Sequence, residues 1–411
     1  MTAQPKGAMD RAPRALSDIR VFDCSNLVAG PAVGMILGDF GAEVIKIEYP
    51  GVGDGIRKWG ATKNGQTLYW KYISRNKKLI TLALNKAEGQ DLFLRLLEAL
   101  QPDVMIENFR PGTLEKWNLG PGKLQDIDPK LVLIRTTGFG QTGPYRNRPG
   151  FGTLAEGMSG FAHLTGQPDG PPTLPQFAMA DTISALYSTI GALIAIHARR
   201  VTDGRGQVID AALLEGIFTM FPVHLMEYDQ LKINPGRIGS RVLTSSPRNI
   251  YETRDGRYVA IAAAVDSIVH RLFTVMKRPD MLTDARFNTN QARLKNVDAL
   301  DEIIAPWVKQ FSQEDVLDVL DKAEVSVAPV LDIAQLHADP HLNEREAIIV
   351  VEDPELGPLR MHAPLPRMSL TPGRVEFAGG PDMGTDNEEI YIQRLGLSPA
   401  ELAEYKARQI I

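Results

Sequence analysis

Over the first 135 residues, short apolar runs alternate with stretches of helical periodicity, and this alternation constrains the fold more than any other feature. Residues 19–22 read as a strand, followed by a loop and a helix beginning near Pro31, a favoured first helical residue. Residues 43–48 (Glu-Val-Ile-Lys-Ile-Glu) alternate as a second strand. The pattern continues with strand 79–84, helix 87–100, strand 104–107, helix 113–118 and strand 131–135. Strands separated by helices predict an α/β fold with a mostly parallel, doubly wound, Rossmann-like sheet. Ligands on such sheets sit at the carboxyl ends of the strands, so the loops 26–30, 108–112 and 137–145 are the places to look.

Further on, a long helix is expected over 182–199, ending at the turn Asp203-Gly-Arg-Gly206, with another apolar stretch over 211–226. Its most apolar part, 183–198, carries Ser184, Ser188, Thr189 and His197 and is shorter than the ~20 apolar residues of a membrane span. It therefore reads as a buried helix, with no membrane partner. Residues 234–248 turn to Gly, Ser, Pro and Arg, as a linker or exposed loop does. A hairpin follows over 249–262 around Asp255-Gly256, then helical patterns to about residue 322 and Pro-rich short strands from Val330 onward.

The chain has 411 residues, room for two domains or one with a large insertion, and a net charge of −5, which argues against a nucleic-acid partner. A single cysteine, Cys24, excludes an internal disulfide framework and a Cys-rich metal site, and reads as small buried packing. With a polar N-terminus lacking a signal-peptide core, this predicts a cytoplasmic protein. Seven histidines show no zinc-ligand spacing, so no metal is expected; no P-loop or Gly-x-Ser-x-Gly elbow is present.

Three segments carry possible chemistry. Asn26-Leu-Val-Ala-Gly-Pro31 opens a helix, whose free N–H groups can cradle a phosphate; Gly30, Gly34 and Gly38 recur every four residues, as a close-packing face does. Glu48 ends strand two, where a dinucleotide-binding protein holds a ribose hydroxyl. Among the cationic runs, Ser74-Arg-Asn-Lys-Lys78 reads as a solvated face, whereas Arg110 and Lys116, on one loop–helix unit after a strand, suit a polyphosphate. Asp181 follows a Pro-rich stretch at the start of the long helix. It reads either as a plain N-cap or as a carboxylate that the helix terminus keeps ionised for attack on an acyl carbon.

Taken together these segments resemble the family III CoA transferases, the group of the formyl-CoA and carnitine CoA transferases. The matching words are Val28-Ala-Gly-Pro31, Leu37-Gly-Asp-Phe-Gly-Ala-Glu-Val-Ile-Lys-Ile-Glu48, Arg75-Asn-Lys-Lys78, Glu107-Asn-Phe-Arg-Pro-Gly112 and Thr137-Gly-Phe-Gly-Gln-Thr-Gly-Pro144. Met158-Ser-Gly160, Thr165-Gly166, Ala180-Asp181 and Gly204-Arg-Gly-Gln207 continue the series, with weaker matches to the terminus. The resemblance implies a large Rossmann-like domain from residues 1–226 and 329–411, a smaller α+β domain over 227–328, and an interlocked homodimer. It implies Asp181 as nucleophile, with a CoA thioester as substrate and no permanently bound cofactor. CoA would run along Val28, Ala29, Leu82, Asn85, Asn108, Phe109, Arg110 and Lys116.

The glycines of 138–143, with Gly138, Phe139 and Gly140 foremost, are expected to supply oxyanion donors. Arg237, Arg241 and Arg248 are candidates to pair with a distal carboxylate of the acid substrate, Arg241 above all. Tyr49 and Gly152 stand where formyl-CoA transferases carry Arg and Glu, and Gly236-Arg-Ile-Gly-Ser-Arg241 replaces their four-glycine run. These departures point away from formate and oxalate, toward members that use succinyl-CoA and a dicarboxylic acid. Acyl-CoA racemases of the same fold place a His-Asp pair where this chain has Gly150-Phe151-Gly152, so the racemase reading lacks its base. An inactive partner subunit of a hetero-oligomer is the remaining alternative, against which Asp181 argues.

Overall fold

In the computed structural model, which describes residues 13–263 and 265–411, six strands form one parallel sheet. They are β1 Arg20–Asp23, β2 Glu43–Glu48, β3 Lys77–Thr81, β4 Val104–Glu107, β5 Val132–Thr137 and β6 Val208–Ala212. Their order across the sheet is β3-β2-β1-β4-β5-β6. The chain winds outward from β1 to β3, then returns to β4 and winds the other way. The order thus reverses between β1 and β4, which leaves a crevice at their carboxyl ends.

Six helices position the site: α1 Ala29–Asp39, α2 Leu68–Ile73, α3 Ala87–Leu100, α4 Gly152–Met158, α5 Met179–Ala198 and α6 Leu213–Phe218. Both sheet faces are covered, so the strands are buried nearly throughout, their polar residues Lys46, Glu48 and Lys77 included. On one face α3 buries Leu92, Phe93, Leu96, Leu97 and Leu100, the stripe its periodicity predicts. On the other, α1 and α5 pack Val33, Leu37, Ala185, Ala192 and Ala195 against Val44, Val132 and Ile134. Each fully buried Leu, Ile or Phe contributes roughly 1.5–3 kcal/mol. In α1 a Cβ at Gly34 would stand 3.1 Å from the Asp23 carboxylate and 3.3 Å from Val44, which is why the glycine face is needed.

The C-terminal segment closes an open sheet edge, here β3. The Asp386 carboxylate accepts the Leu79 N–H at 2.6 Å and the Asn387 side-chain oxygen accepts that of Thr81 at 3.0 Å, while Tyr391 donates its hydroxyl to the Thr81 carbonyl. These side chains satisfy two donors and an acceptor that would otherwise invite another strand.

Three expectations change. The run Ser74–Lys78 is not a solvated face: Ser74, Arg75 and Lys77 are buried, and β3 begins at Lys77 rather than Leu79. Carboxylates explain this, since Lys77 reaches Asp23 at 2.9 Å and Arg75 forks onto Asp39 at 2.5 and 3.0 Å. Second, β6 takes Val208–Ala212 out of what read as turn and apolar stretch; as an edge strand containing Asp210 it carries a weak apolar signal. Third, α5 is buried on one face only. By length and composition it is apolar enough to cross a membrane. Its small residues Ala180, Ser184, Ala185, Ser188, Ala192 and Ala195 are buried, and Leu186, Ile190 and Ile194 stay at least half exposed.

The structure divides into two compact units, one of residues 13–161, Leu174–Met226 and Glu344–Ile411, the other of Ala162–Thr173 and Glu227–Asn343. The second unit holds an antiparallel sheet of β7 Arg248–Glu252, β8 Tyr258–Ala262 and β9 Val327–Pro329, with β8 in the middle. The hairpin turns at Asp255-Gly256 (Gly256 φ +75°), as its sequence predicts. Helices packing Leu272, Phe273, Leu300, Ile304 and Val316 against Tyr251, Val259 and Ile261 complete its core.

Candidate active site

At the crevice beside β1 and β4 a pocket with about 440 Å³ of open space is lined by Cys24, Asn26, Ile47, Tyr49, Leu82, Leu84, Asn85, Phe109 and Trp117. The strand ends thus bring Leu82, Asn85 and Phe109 together, three of the residues proposed for CoA. Phe109 meets Trp117 edge to face at 5.0 Å, a partner the sequence did not suggest, and forms an aromatic wall of a kind that suits a purine ring. Cys24 is buried in the floor, and burial, with the Asp23 charge next, pushes its thiol well above the usual range, which suppresses thiolate chemistry. Arg110 and Lys116 are exposed, and neither forms an ion pair among the described residues. Asn108 does something other than expected: its side chain accepts the Asn26 N–H at 2.8 Å and donates to the Asn26 carbonyl at 2.7 Å. It ties the two loops together and leaves its amide little capacity for ligand.

The loop after β1 rests on buried charge. Lys46 lies 2.8 Å from Asp54 and donates to the Ser25 carbonyl; Asp54 in turn accepts the Leu27 N–H at 2.8 Å. Asp23 takes the Ser25 hydroxyl and N–H while paired with Lys77. Burial alone would push the Asp23 carboxyl up, but the Lys46 and Lys77 ammonium groups outweigh it and hold the group below its usual range. Glu48 is part of this framework, not a ribose ligand: it accepts from the Asp54 N–H and from two Arg57 nitrogens, and its side chain is fully buried.

Asp181 sits at the third position of α5, not at its cap. The helix starts at Met179, three residues earlier than its apolar run predicts, and its cap position is Ala178, without a side-chain cap. The Asp181 carboxylate takes its own backbone N–H, while the preceding Ala180 N–H goes to Glu156 of α4, 3.2 Å away and only 3% exposed. Burial first, and the Glu156 charge second, push the Asp181 carboxyl up to about 6. The helix terminus therefore does not keep it strongly ionised, as had been expected. Tyr69 of α2 faces the same group; burial and then the Asp181 charge raise its hydroxyl. Glu156 and Tyr69 were invisible in the sequence, because a lone Glu in Ala-Glu-Gly and a Tyr in a short helix read as ordinary surface and packing residues.

Glycines set the approach to this carboxylate. A Cβ at Gly152 would lie 2.1 Å from the Asp181 Oδ2, and one at Gly138 would lie 2.6 Å from the Gly150 Cα. Backbone contact thus runs from the turn after β5, through Gly150, toward the Asp181 carboxylate. Asp210 of β6 pins that turn by accepting the Gln141 N–H at 2.9 and 3.0 Å, and the Gly140 N–H goes to Thr137 Oγ1 at 3.0 Å. Gly140 is therefore not a free oxyanion donor here; Phe139 packs its ring edge-on to Tyr145. The small cluster of Ala29, Ala155, Ala180, Leu213 and Ile217 joins the start of α1 to the Asp181 helix; Val28, also buried, packs in the neighbouring cluster of the sheet face.

The arginines of residues 234–248 are already engaged. Arg241 forms ion pairs of 2.7 Å with both Asp298 and Asp301, and Asp301 also accepts from Tyr251 and Asn249. Arg237 donates to the carbonyls of Gly170 and His163, and Arg248 to those of Ser240 and Arg241. They hold their own unit together, and the charge of Arg241 is neutralised within it.

The model of CoA-transferase family III matches residues 16–387. The chain is 41% identical to the succinyl-CoA–D-citramalate CoA-transferase of Chloroflexus aurantiacus, covering 98% of this chain and 99% of that protein. It is 37% identical to the beta subunit of succinyl-CoA–L-malate CoA-transferase from the same organism, covering 96% and 98%. Among solved structures, a CAIB/BAIF family protein from Brucella suis superposes with a TM-score of 0.80 at 33% identity, over 92% of this chain and 99% of that one. With a parallel sheet of this order and an apolar crevice at its switch point, the chain belongs to CoA-transferase family III and is a CoA transferase.

Proposed function

We propose that this enzyme moves CoA from succinyl-CoA to a dicarboxylic acid, using Asp181 as a covalent nucleophile. The observation that carries the reading is the half-buried carboxylate of Asp181, with no cation beside it among the described residues and a glycine in place of any side chain at 152. The relatives acting on D-citramalate and L-malate support the donor and the acceptor class, both acids being 2-hydroxy dicarboxylates. CoA lies with its adenine against Phe109 and Trp117, its phosphates near Arg110 and Lys116, and its thioester arm over Val28 and Ala29.

In the first step the Asp181 carboxylate attacks the acyl carbon, forming a mixed anhydride and releasing CoA thiolate. The thiolate attacks the aspartyl carbonyl, giving an enzyme–CoA thioester and free succinate. The acceptor carboxylate attacks that thioester, forming a new anhydride and freeing the thiolate again. The thiolate then takes the acceptor's acyl group, and Asp181 is restored. Each step exchanges one acyl bond for another of similar energy, so no strong base is required, in keeping with Gly150-Phe151-Gly152. The Gly138–Phe139 backbone, beside the glycine contact, is the proposed oxyanion donor.

An interlocked homodimer is part of the proposal. The outward face of α5, with Ile190 52% and Ile194 60% exposed, supports a second copy as the natural cover. The expected location is the cytoplasm. The test is a panel of CoA donors and acids with purified enzyme: succinyl-CoA with 2-hydroxy dicarboxylates should turn over best, and equal rates with monocarboxylates would refute the acceptor class. Sedimentation should show a dimer that persists on dilution, and a folded monomer at nanomolar concentration would refute the assembly.

A further inference from the structure

Glu156 is a costly residue where it stands. Its side chain is almost fully buried, no cation pairs with it among the described residues, and its one hydrogen bond is from the Ala180 N–H. An unpaired buried carboxylate costs stability, so its retention next to the nucleophile needs a reason. The N–H it takes is one of the orphan donors of the α5 terminus, the group that ordinarily compensates an acidic residue in the first turn. Asp181 is that residue; it takes its own backbone N–H but not that of Ala180.

We propose that Glu156 is the positioning residue of the nucleophile, occupying the α5 terminus so that the Asp181 carboxylate stays a poorly compensated, strongly nucleophilic anion. The inference rests on Asp181 being the nucleophile. The geometry suits the role, because α4 presents both contacts one turn apart: Gly152 lies against the Asp181 carboxylate, and Glu156 reaches the amide before it. The titratable groups facing Asp181 are Glu156 from α4 and Tyr69 from α2, neither of them a cation. Basicity rises as compensation is withdrawn, and the nucleophilicity of an anion rises with its basicity, as it does among thiolates. The elevated carboxyl of Asp181 agrees with this arrangement.

The experiment compares wild type, Glu156→Gln and Glu156→Asp, measuring kcat and KM for succinyl-CoA against pH. In the wild type, kcat should fall on the acid side of about pH 6, with Asp181. Glu156→Gln keeps an oxygen for the Ala180 N–H but removes the charge. Its acid limb should move down by about half a unit or more, and its plateau kcat should fall severalfold at a nearly unchanged KM. Glu156→Asp keeps the charge but withdraws the oxygen and frees the Ala180 N–H, so its acid limb should also move down, by less than in Glu156→Gln, while kcat falls roughly tenfold. An unshifted limb in Glu156→Gln, or a change confined to KM, overturns the proposal; if that variant does not fold, an unaltered kcat in Glu156→Asp overturns it. Mass spectrometry on the wild type separates the two ideas: an adduct at Asp181 with an unmoved limb refutes Glu156 alone, and no adduct there refutes both.

Discussion

Replacing Asp181 by Asn should make the protein more stable at neutral pH while abolishing turnover. The folded carboxyl sits near 6, against about 3.9 for an unfolded Asp, so ionisation is resisted only in the native state. Between those values the native protein binds more protons than the unfolded chain, and stability falls as pH rises. The loss begins near pH 4 and is complete somewhat above pH 6. Two units correspond to roughly 3 kcal/mol, and allowing for partial solvent screening about 1.5–3 kcal/mol remains. Asn is isosteric and carries no charge, so the variant lacks this loss, and because Asp181 is not the cap of α5 no capping bond is forfeited. Thermal melts of both proteins from pH 4 to pH 8 should coincide at the acid end and separate above pH 6, with the variant higher by about 1–4 °C. A variant less stable at pH 8, or a difference independent of pH, would refute the reasoning.

Arg110→Ala and Lys116→Ala should each weaken binding of an acyl-CoA by about 1.5–3 kcal/mol, the scale of a hydrogen bond to a charged group, and leave melting unchanged; calorimetric titration checks this. Gly152→Ala should displace the Asp181 carboxylate, because its Cβ would fall 2.1 Å from Oδ2, and cut kcat at least tenfold in a protein that still folds, read by steady-state kinetics and circular dichroism. Arg241→Ala should destabilise the protein by about 1–3 kcal/mol through the loss of its bonds to Asp298 and Asp301, while the preference among acceptor acids stays as in wild type.

The central sheet was legible because buried parallel strands and amphipathic helices leave strong periodic signals: β2, β4 and α3 fall on the residues their patterns predict. What escaped was decided by partners distant in sequence. Lys77 looks solvated until Asp23 is seen 54 positions away, and β6 joins the edge through residues too mixed to announce a strand. At the site, the family words singled out Asp181, but its environment depends on Glu156, 24 positions before the Ala180 amide it accepts, and on that amide, which neither residue's neighbours reveal. Arg241 shows the converse case: a cation in a Gly/Ser-rich stretch suggested a ligand, and carboxylates 57 and 60 positions on pair with it within its own unit.

The account turns on the covalent role of Asp181, and the most direct measurement is peptide mass spectrometry of the enzyme quenched during turnover with succinyl-CoA. CoA joined as a thioester to the Asp181 side chain is the predicted result, absent from Asp181→Asn. An adduct on Cys24, or undiminished turnover by Asp181→Asn, would contradict it.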